Sequence, residues 1–167
     1  MTGLAAQVRP ELAIAVESPL QDDVRALIAE LNAALLALTP AEFCYHMKPE
    51  ELAAPTVTVF VARIAGRAVA MGALRRHGDV GEVKRMYTRP ECQGQGTGGR
   101  ILSAIEQTAR AERLAELVLE TGDRHPAAWR VYERAGFSRC GPVLDYPQSP
   151  YSVFYKKRLY PDPLPPA

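Results

Sequence analysis

Between Glu82 and Ala111 the chain passes from a strand-like run through Gln93-Gly94-Gln95-Gly96-Thr97-Gly98-Gly99-Arg100 into an amphipathic, helix-like run. Four glycines in the six positions 94–99 are a poor way to build a core. They are a good way to expose backbone N–H groups, because a residue without Cβ lets a bulky anion approach the main chain. When such a turn leads straight into a helix, the unpaired N–H groups of the first turn and the positive end of the helix dipole converge on one spot. That spot attracts phosphate. The fold must therefore contain a strand–turn–helix unit with a pyrophosphate-binding turn at its elbow.

Three kinds of phosphate site are compatible with such an elbow. The ATP-type loop needs Lys and then Ser or Thr after its last glycine, and here Gly99 is followed by Arg100 and Ile101. The dinucleotide pattern G-x-G-x-x-G matches as Gly94, Gly96 and Gly99, with Glu120 at the distance where that pattern places an acid. Two facts oppose it. Arg89 to Gln93, with Pro90, separate the strand from Gly94, and the strand carries Glu82, Lys84 and Arg85 where a doubly covered parallel strand should be nearly all apolar.

The third kind fits best. Gln93-x-x-Gly96-x-Gly98, after a strand ending Met86-Tyr87-Thr88 and the segment Arg89-Pro90-Glu91, resembles the acyl-CoA pyrophosphate loop of the GNAT superfamily of N-acetyltransferases. Downstream, Leu117-Val118-Leu119-Glu120-Thr121 looks like that family's fifth strand. Ala128-x-x-x-Tyr132-Glu133-x-x-Gly136-Phe137 looks like its next helix and glycine-phenylalanine corner. The resemblance is specific over 82–137 and extends in general architecture over 11–158. The family often has Asn where His125 stands, a departure that bears on any cofactor contact there.

The resemblance implies an α/β (α+β) fold, a mixed, mostly antiparallel twisted sheet flanked by helices on both faces. The strands on either side of the glycine turn's helix should be parallel neighbours that splay apart. It implies acetyl-CoA as cosubstrate, held by Met86, Tyr87, Thr88, Gln93, Gly94, Gln95, Gly96, Thr97, Gly98, Gly99 and Arg100, with His125 in the place of the usual Asn. Main-chain groups around Met86 and Thr88 would be freed by a bulge to meet the pantetheine arm and thioester. The activity implied is direct transfer of an acetyl group to a primary amine of a small molecule or amino acid. A protein N-terminus or lysine is the alternative acceptor, and a non-catalytic CoA-binding sensor the alternative class. A homodimer is compatible with the sequence.

At 167 residues the chain is one domain by size. A net charge of +1 gives no support for a nucleic-acid partner. No apolar run approaches the ~20 residues of a membrane span, and the N-terminus lacks a basic segment followed by an apolar one. Cys44, Cys92 and Cys140 have neither C-x-x-C spacing nor a neighbouring His cluster, so they read as reduced thiols of a cytoplasmic protein and not as a metal site.

Residues 1–10 lack periodicity and read as a flexible N-terminus. Leu12-x-Ile14-x-Val16 alternates as a first strand. Ser18-Pro19 should cap a helix whose apolar face, Val24, Leu27, Ile28, Leu31, Leu35 and Leu38, runs to Thr39-Pro40. A short helix and a loop fill 41–54. Strands follow at 56–64, 69–74 and 81–88, then the helix to about Arg113, a strand at 117–120 and a helix from Pro126 to Ala135. Strands at 138–143 and 151–157 close the domain. The Pro-rich stretch 159–167 reads as a flexible tail.

Acetyl transfer to an amine needs a group that takes a proton from the ammonium and a donor for the departing thiolate. Glu82, at the start of the strand that feeds the turn, is the candidate base, with Glu120 as its substitute; pairing of Glu82 with Lys84 or Arg85 is the structural alternative. Tyr132 is the candidate acid, placed by the resemblance beside the sulfur, and a core tyrosine packed with Trp129 is its alternative. Arg89 and Arg100 flank the turn and suit phosphate. For the acceptor, Phe43, Tyr45, His46, Asp145, Tyr146, Ser149, Tyr151 and Ser152 are candidate lining, and Arg75 or Arg85 suits a carboxylate.

Overall fold

The computed structural model describes residues 10–160. The readings for 1–9 and for 161–167 lie outside them. Seven strands form one sheet in the order β1-β2-β3-β4-β5-β7-β6. These are β1 (Leu12–Val16), β2 (Val57–Ile64), β3 (Arg67–His77), β4 (Val80–Thr88), β5 (Glu116–Gly122), β6 (Ser138–Cys140) and β7 (Ser152–Arg158). All neighbours are antiparallel except β4 and β5. That parallel pair is in register only at Val80↔Glu116, Gly81↔Leu117 and Glu82↔Val118, after which the strands part. The mixed sheet with a splayed parallel pair is the architecture the sequence implied.

Two apolar layers cover the sheet. On one face α1 (Asp22–Leu36) and the single turn α2 (Pro49–Leu52) bury Val24, Leu27, Ile28 and Leu52 against Val59, Val61, Met71 and Ala73. On the other, α3 (Thr97–Ala111) and α4 (Pro126–Arg134) pack Ile101, Leu102, Ile105 and Tyr132 onto Leu74, Val83, Leu117 and Leu119. The 3.6-residue period of each helix and the two-residue alternation of each strand leave little choice of face.

Several boundaries moved for local reasons. Ser18 does not cap α1. Its Oγ accepts from the Leu20 N–H at 3.2 Å, closing a turn before the helix, and the first helical bond runs from Arg25 N to Gln21 O at 2.9 Å. α1 stops at Leu36, so Leu38 is exposed rather than part of the apolar face. β6 ends at Cys140, because Gly141-Pro142 follow and proline has no N–H for the ladder. Leu159 and Tyr160, read from the sequence as the start of the tail, belong to the domain. Leu159 is buried and donates its N–H to Ala115 O at 3.0 Å, and the Tyr160 hydroxyl donates to Arg110 O at 2.8 Å.

The feature that shapes the site is a bulge in β4. Met71 pairs with Tyr87, but Ala73 pairs with Lys84, so one extra residue stands in β4 opposite Gly72. Arg85 absorbs it with φ +54°, an uncommon conformation for a residue with a side chain. Alternation is thereby shifted by one position. Val83 and Met86 pack toward α3, while Tyr87 joins the α1 layer and Arg85 reaches Asn32 on α1. Gly72 is needed on the opposite strand. A Cβ there would lie 2.5 Å from Met86 Sδ and 2.7 Å from Ile101 Cγ2.

Candidate active site

The glycine turn reaches α3 in the predicted way. Gly94 and Gly96 have φ +74° and +78°, and Gly96 is the N-cap of α3 with no side chain capping the first turn. The N–H groups there are therefore left for a ligand. The turn is also unobstructed: a Cβ at Gly94, Gly96 or Gly99 would meet nothing within 4 Å, and one at Gly98 would meet only Val131 and Thr88 in ordinary contact. This open cradle fits a diphosphate. Gln93 braces the turn by donating from Nε2 to Thr88 O at 3.0 Å.

The flanking arginines have protein partners. Arg89 Nε donates to Glu30 Oε2 on α1 at 2.9 Å, and Arg100 donates to Leu12 O on β1 at 3.3 Å. His125 is the N-cap residue of α4, its ring pressed against Gly122, where a Cβ would sit 2.3 Å from His125 Cδ2. Burial holds its imidazole below the ordinary range, and its Nε2 has no partner among the described residues.

Where β4 and β5 part, a cleft of about 100 Å³ opens. β4 supplies Glu82, Lys84, Arg85 and Met86, and β5 supplies Glu120, Thr121 and Gly122. Tyr132 of α4, Leu31 and Leu35 of α1, and Phe43, Cys44 and Tyr45 complete the lining. The loop before β7 folds over the top. Tyr146 packs edge-on to Tyr45 with centroids 4.9 Å apart, and Tyr151 lies 4.7 Å from Phe43. Of the acceptor-side candidates, Phe43, Tyr45, Tyr146 and Tyr151 thus line the cleft, whereas Asp145 is exposed outside its lining.

The sequence-predicted acid and bases meet here, in unequal environments. Glu82 is 2% exposed and engaged at both oxygens. Oε2 accepts from the Tyr146 hydroxyl at 2.5 Å, Oε1 lies 2.9 Å from His77 Nε2, and Lys84 Nζ is 3.4 Å away. Lys84 also donates to the Tyr146 hydroxyl at 2.8 Å. Glu120 has no such network. Burial pushes its carboxyl up to about 7, and the nearby Glu82 charge acts in the same direction, while Ser152 and Lys84 oppose it. Tyr132 is buried among Phe137 and Tyr155, and burial, with the Glu120 charge behind it, holds its phenol well above the ordinary range.

Lys84 was foreseen only as an ion-pair partner. Its position two residues after Glu82 in one strand was the available signal for a shared face. Asn32 carried none, because its contact with Arg85 depends on the bulge.

A sheet split beside an open helix mouth, with ionisable groups gathered in the split, defines an acyl-CoA-dependent N-acyltransferase. The chain belongs to the acetyltransferase (GNAT) family, whose pattern matches residues 26–137. It is 41% identical over 152 residues to an IAA acetyltransferase of Azospirillum brasilense, covering 90% of this chain and 99% of that one. A solved candidate acyl-CoA N-acyltransferase of Klebsiella pneumoniae subsp. pneumoniae superposes with a TM-score of 0.76 and 32% identity, over 89% of this chain and 98% of that one. The PaiA N-acetyltransferase of Thermoplasma acidophilum, solved in complex with coenzyme A, shares the fold at a TM-score of 0.68 and 13% identity, over 87% and 99%. The protein is an acyl-CoA-dependent N-acetyltransferase, and its fold is one that binds acyl-CoA. Among the described residues no helix is long and apolar enough to cross a membrane.

Proposed function

We propose that the chain moves the acetyl group of acetyl-CoA to the primary amine of a small molecule or amino acid, by direct attack within a ternary complex. The observation that carries this reading is the pairing, in one cleft, of the Glu120 carboxyl with the buried Tyr132 phenol; burial pushes that carboxyl up to about 7. Two carboxylates in one cleft with unequal surroundings suit a division of labour. Glu82 is the member whose oxygens are already engaged, by Tyr146, Lys84 and His77. Glu120 is the member free to exchange a proton near neutrality, where a general base works best. This assignment promotes the substitute over Glu82, whose oxygens are already occupied.

The first-turn N–H groups of α3, with Gly94, Gly96, Gly98 and Gly99 beneath them, hold the diphosphate. The cosubstrate supplies an activated thioester when bound. Glu120 takes the proton from the acceptor's ammonium, and the Tyr132 hydroxyl returns one to the departing sulfur. Main-chain groups of Met86 to Thr88, on the edge of β4 beyond its last pair with β5 at Glu82↔Val118, pair with the pantetheine arm. The aromatic side chains over the cleft, with Tyr146 bonded directly to Glu82, support a small acceptor.

The test is thiol release from acetyl-CoA across a panel of small primary amines, amino acids and lysine- or N-terminus-bearing peptides. Turnover with a small amine and none with peptides supports the reading. Thermal stabilisation by acetyl-CoA with no turnover on any acceptor would make the protein a sensor instead.

A further inference from the structure

Arg85 is the residue that the chemistry above leaves unused. It is a cation 7% exposed, set into the cleft wall by the bulge. Its guanidinium donates to the Asn32 side-chain carbonyl, and its Nε is buried with no partner among the described residues. No carboxylate among the described residues lies within ion-pair distance of it; the only carboxylate of β4, Glu82, is committed to Tyr146, His77 and Lys84. Burial pulls the guanidinium down to about 10, with the Cys44 thiol as the only opposing influence.

A buried guanidinium without a counter-charge is costly, because it presents five donors in a planar fork and cannot shed its charge at ordinary pH. His46 stands close by. Burial first, and then the Arg85 charge, hold its imidazole below the ordinary range, and its Nε2 is also buried without a partner. Arg85 itself lines the cleft, so its orphaned Nε and uncompensated charge stand in the cleft wall, with His46 behind the lining. The rest of that wall is apolar and aromatic, with Leu31, Leu35, Phe43 and Tyr45.

We propose that Arg85 receives a carboxylate on the acceptor, so that the substrate class is an amine that also carries a carboxylate and an apolar body about the size of one ring. The carboxylate seats on the guanidinium fork, the body rests on Phe43 and Tyr45, and the amine is left on the β5 side, where Glu120 stands. Only the amine half of this statement rests on the acetyl-transfer reading.

The experiment separates the two halves. First, phenylacetate and the isosteric phenylacetamide are titrated by calorimetry into wild type, Arg85→Met and Arg85→Lys, with CoA present. Wild type should bind the acid at least tenfold more tightly than the amide. Arg85→Met should lose that preference, and Arg85→Lys should keep part of it, as a point charge without the fork. Arg85→Met should also melt higher than wild type, since it removes an unpaired buried charge; a lower melting temperature would mean a structural role. Equal affinity of wild type for acid and amide, or a preference that survives in Arg85→Met, overturns the proposal. Second, thiol release is compared for phenylalanine and 2-phenylethylamine. A lower KM for phenylalanine in wild type, lost in Arg85→Met with acetyl-CoA KM unchanged, completes the case. Arg85-dependent binding of phenylacetate without turnover of any amine would leave the carboxylate site standing and sink the acetyl-transfer reading alone.

Discussion

Replacing Glu120 by Gln tests the base assignment by stability and by rate. A carboxyl moved from 4.5 to about 7 by folding carries on the order of 3 kcal/mol against its ionised form. The carboxyl keeps some contact with cleft solvent, so on the order of 1–3 kcal/mol is the range to expect. The sign follows from linkage. The folded state holds the proton to higher pH than the unfolded chain does, so this contribution favours folding below pH 4.5. It is lost as pH rises through about 7. Gln cannot ionise, and Glu120→Gln should therefore be more stable than wild type at pH 8, melting roughly 3–8 °C higher. The two proteins should converge only below pH 4.5. Kinetically, the logarithm of kcat/KM should lose one unit of slope near pH 7 in wild type, as Glu120 finishes deprotonating. The bend should vanish in Glu120→Gln, with a rate loss of about 10²–10⁴. Differential scanning fluorimetry across pH and thiol-release kinetics supply both readouts. A variant destabilised at pH 8, or one that keeps the bend and its rate, would refute the assignment and return Glu82 to the role.

Other substitutions probe separate parts of the argument. Tyr132→Phe should lower kcat by about 10²-fold or more while leaving acetyl-CoA KM near wild type; unchanged kcat in thiol release would make Tyr132 a packing residue only. Gly96→Ala places a side chain at φ +78°, costing about 1 kcal/mol in urea melts, and its methyl intrudes on the open mouth of α3. Acetyl-CoA affinity by calorimetry should fall at least tenfold, and an undiminished affinity would move the diphosphate elsewhere. Gly72→Ala drives a methyl into Met86 Sδ and Ile101 Cγ2, for a loss of about 1–3 kcal/mol. Adding Met86→Ala should recover part of that loss, so additive effects in a denaturation cycle would show that the two residues do not collide.

Much of this fold is legible in the sequence because its signals are local. The glycine turn follows from the need for positive φ and bare backbone at Gly94 and Gly96. The faces of α1 and α3 follow from helical spacing, and the stop of α4 follows from Gly136 at φ +91°. Glu82 stands out by its place on the strand that feeds the turn and Tyr132 by the family resemblance, and the structure gathers Glu82, Glu120 and Tyr132 in one cleft. What escaped is decided by distant partners. Arg89 and Arg100 suit phosphate beside a glycine turn, but the sequence does not show their bonds to Glu30 on α1 and Leu12 on β1. Nor does sequence reveal that Glu82 is saturated, because Tyr146 arrives from a loop after β6, far along the chain.

The bulge is the deepest of these omissions, because it changes what β4 means. Read with strict alternation, Glu82, Lys84 and Met86 share one face and Val83 and Arg85 the other, which would bury a cation against α3. The register shift opposite Gly72 reverses that parity after Lys84. Met86 turns to the α3 core and Arg85 to the wall of the cleft. Under the proposed reading one inserted residue serves two ends: it turns Met86 into the α3 core beside the edge of β4 that β5 leaves, and it delivers a cation to the cleft wall. If the strand were regular, the cation would be a liability with no partner. The proposed donor contact at Met86 and the proposed acceptor contact at Arg85 are thereby neighbours in one strand, a single peptide bond apart. A deletion of Arg85 that restores alternation should therefore damage both functions together, whereas Arg85→Met, which keeps the bulge, should cost only the acceptor.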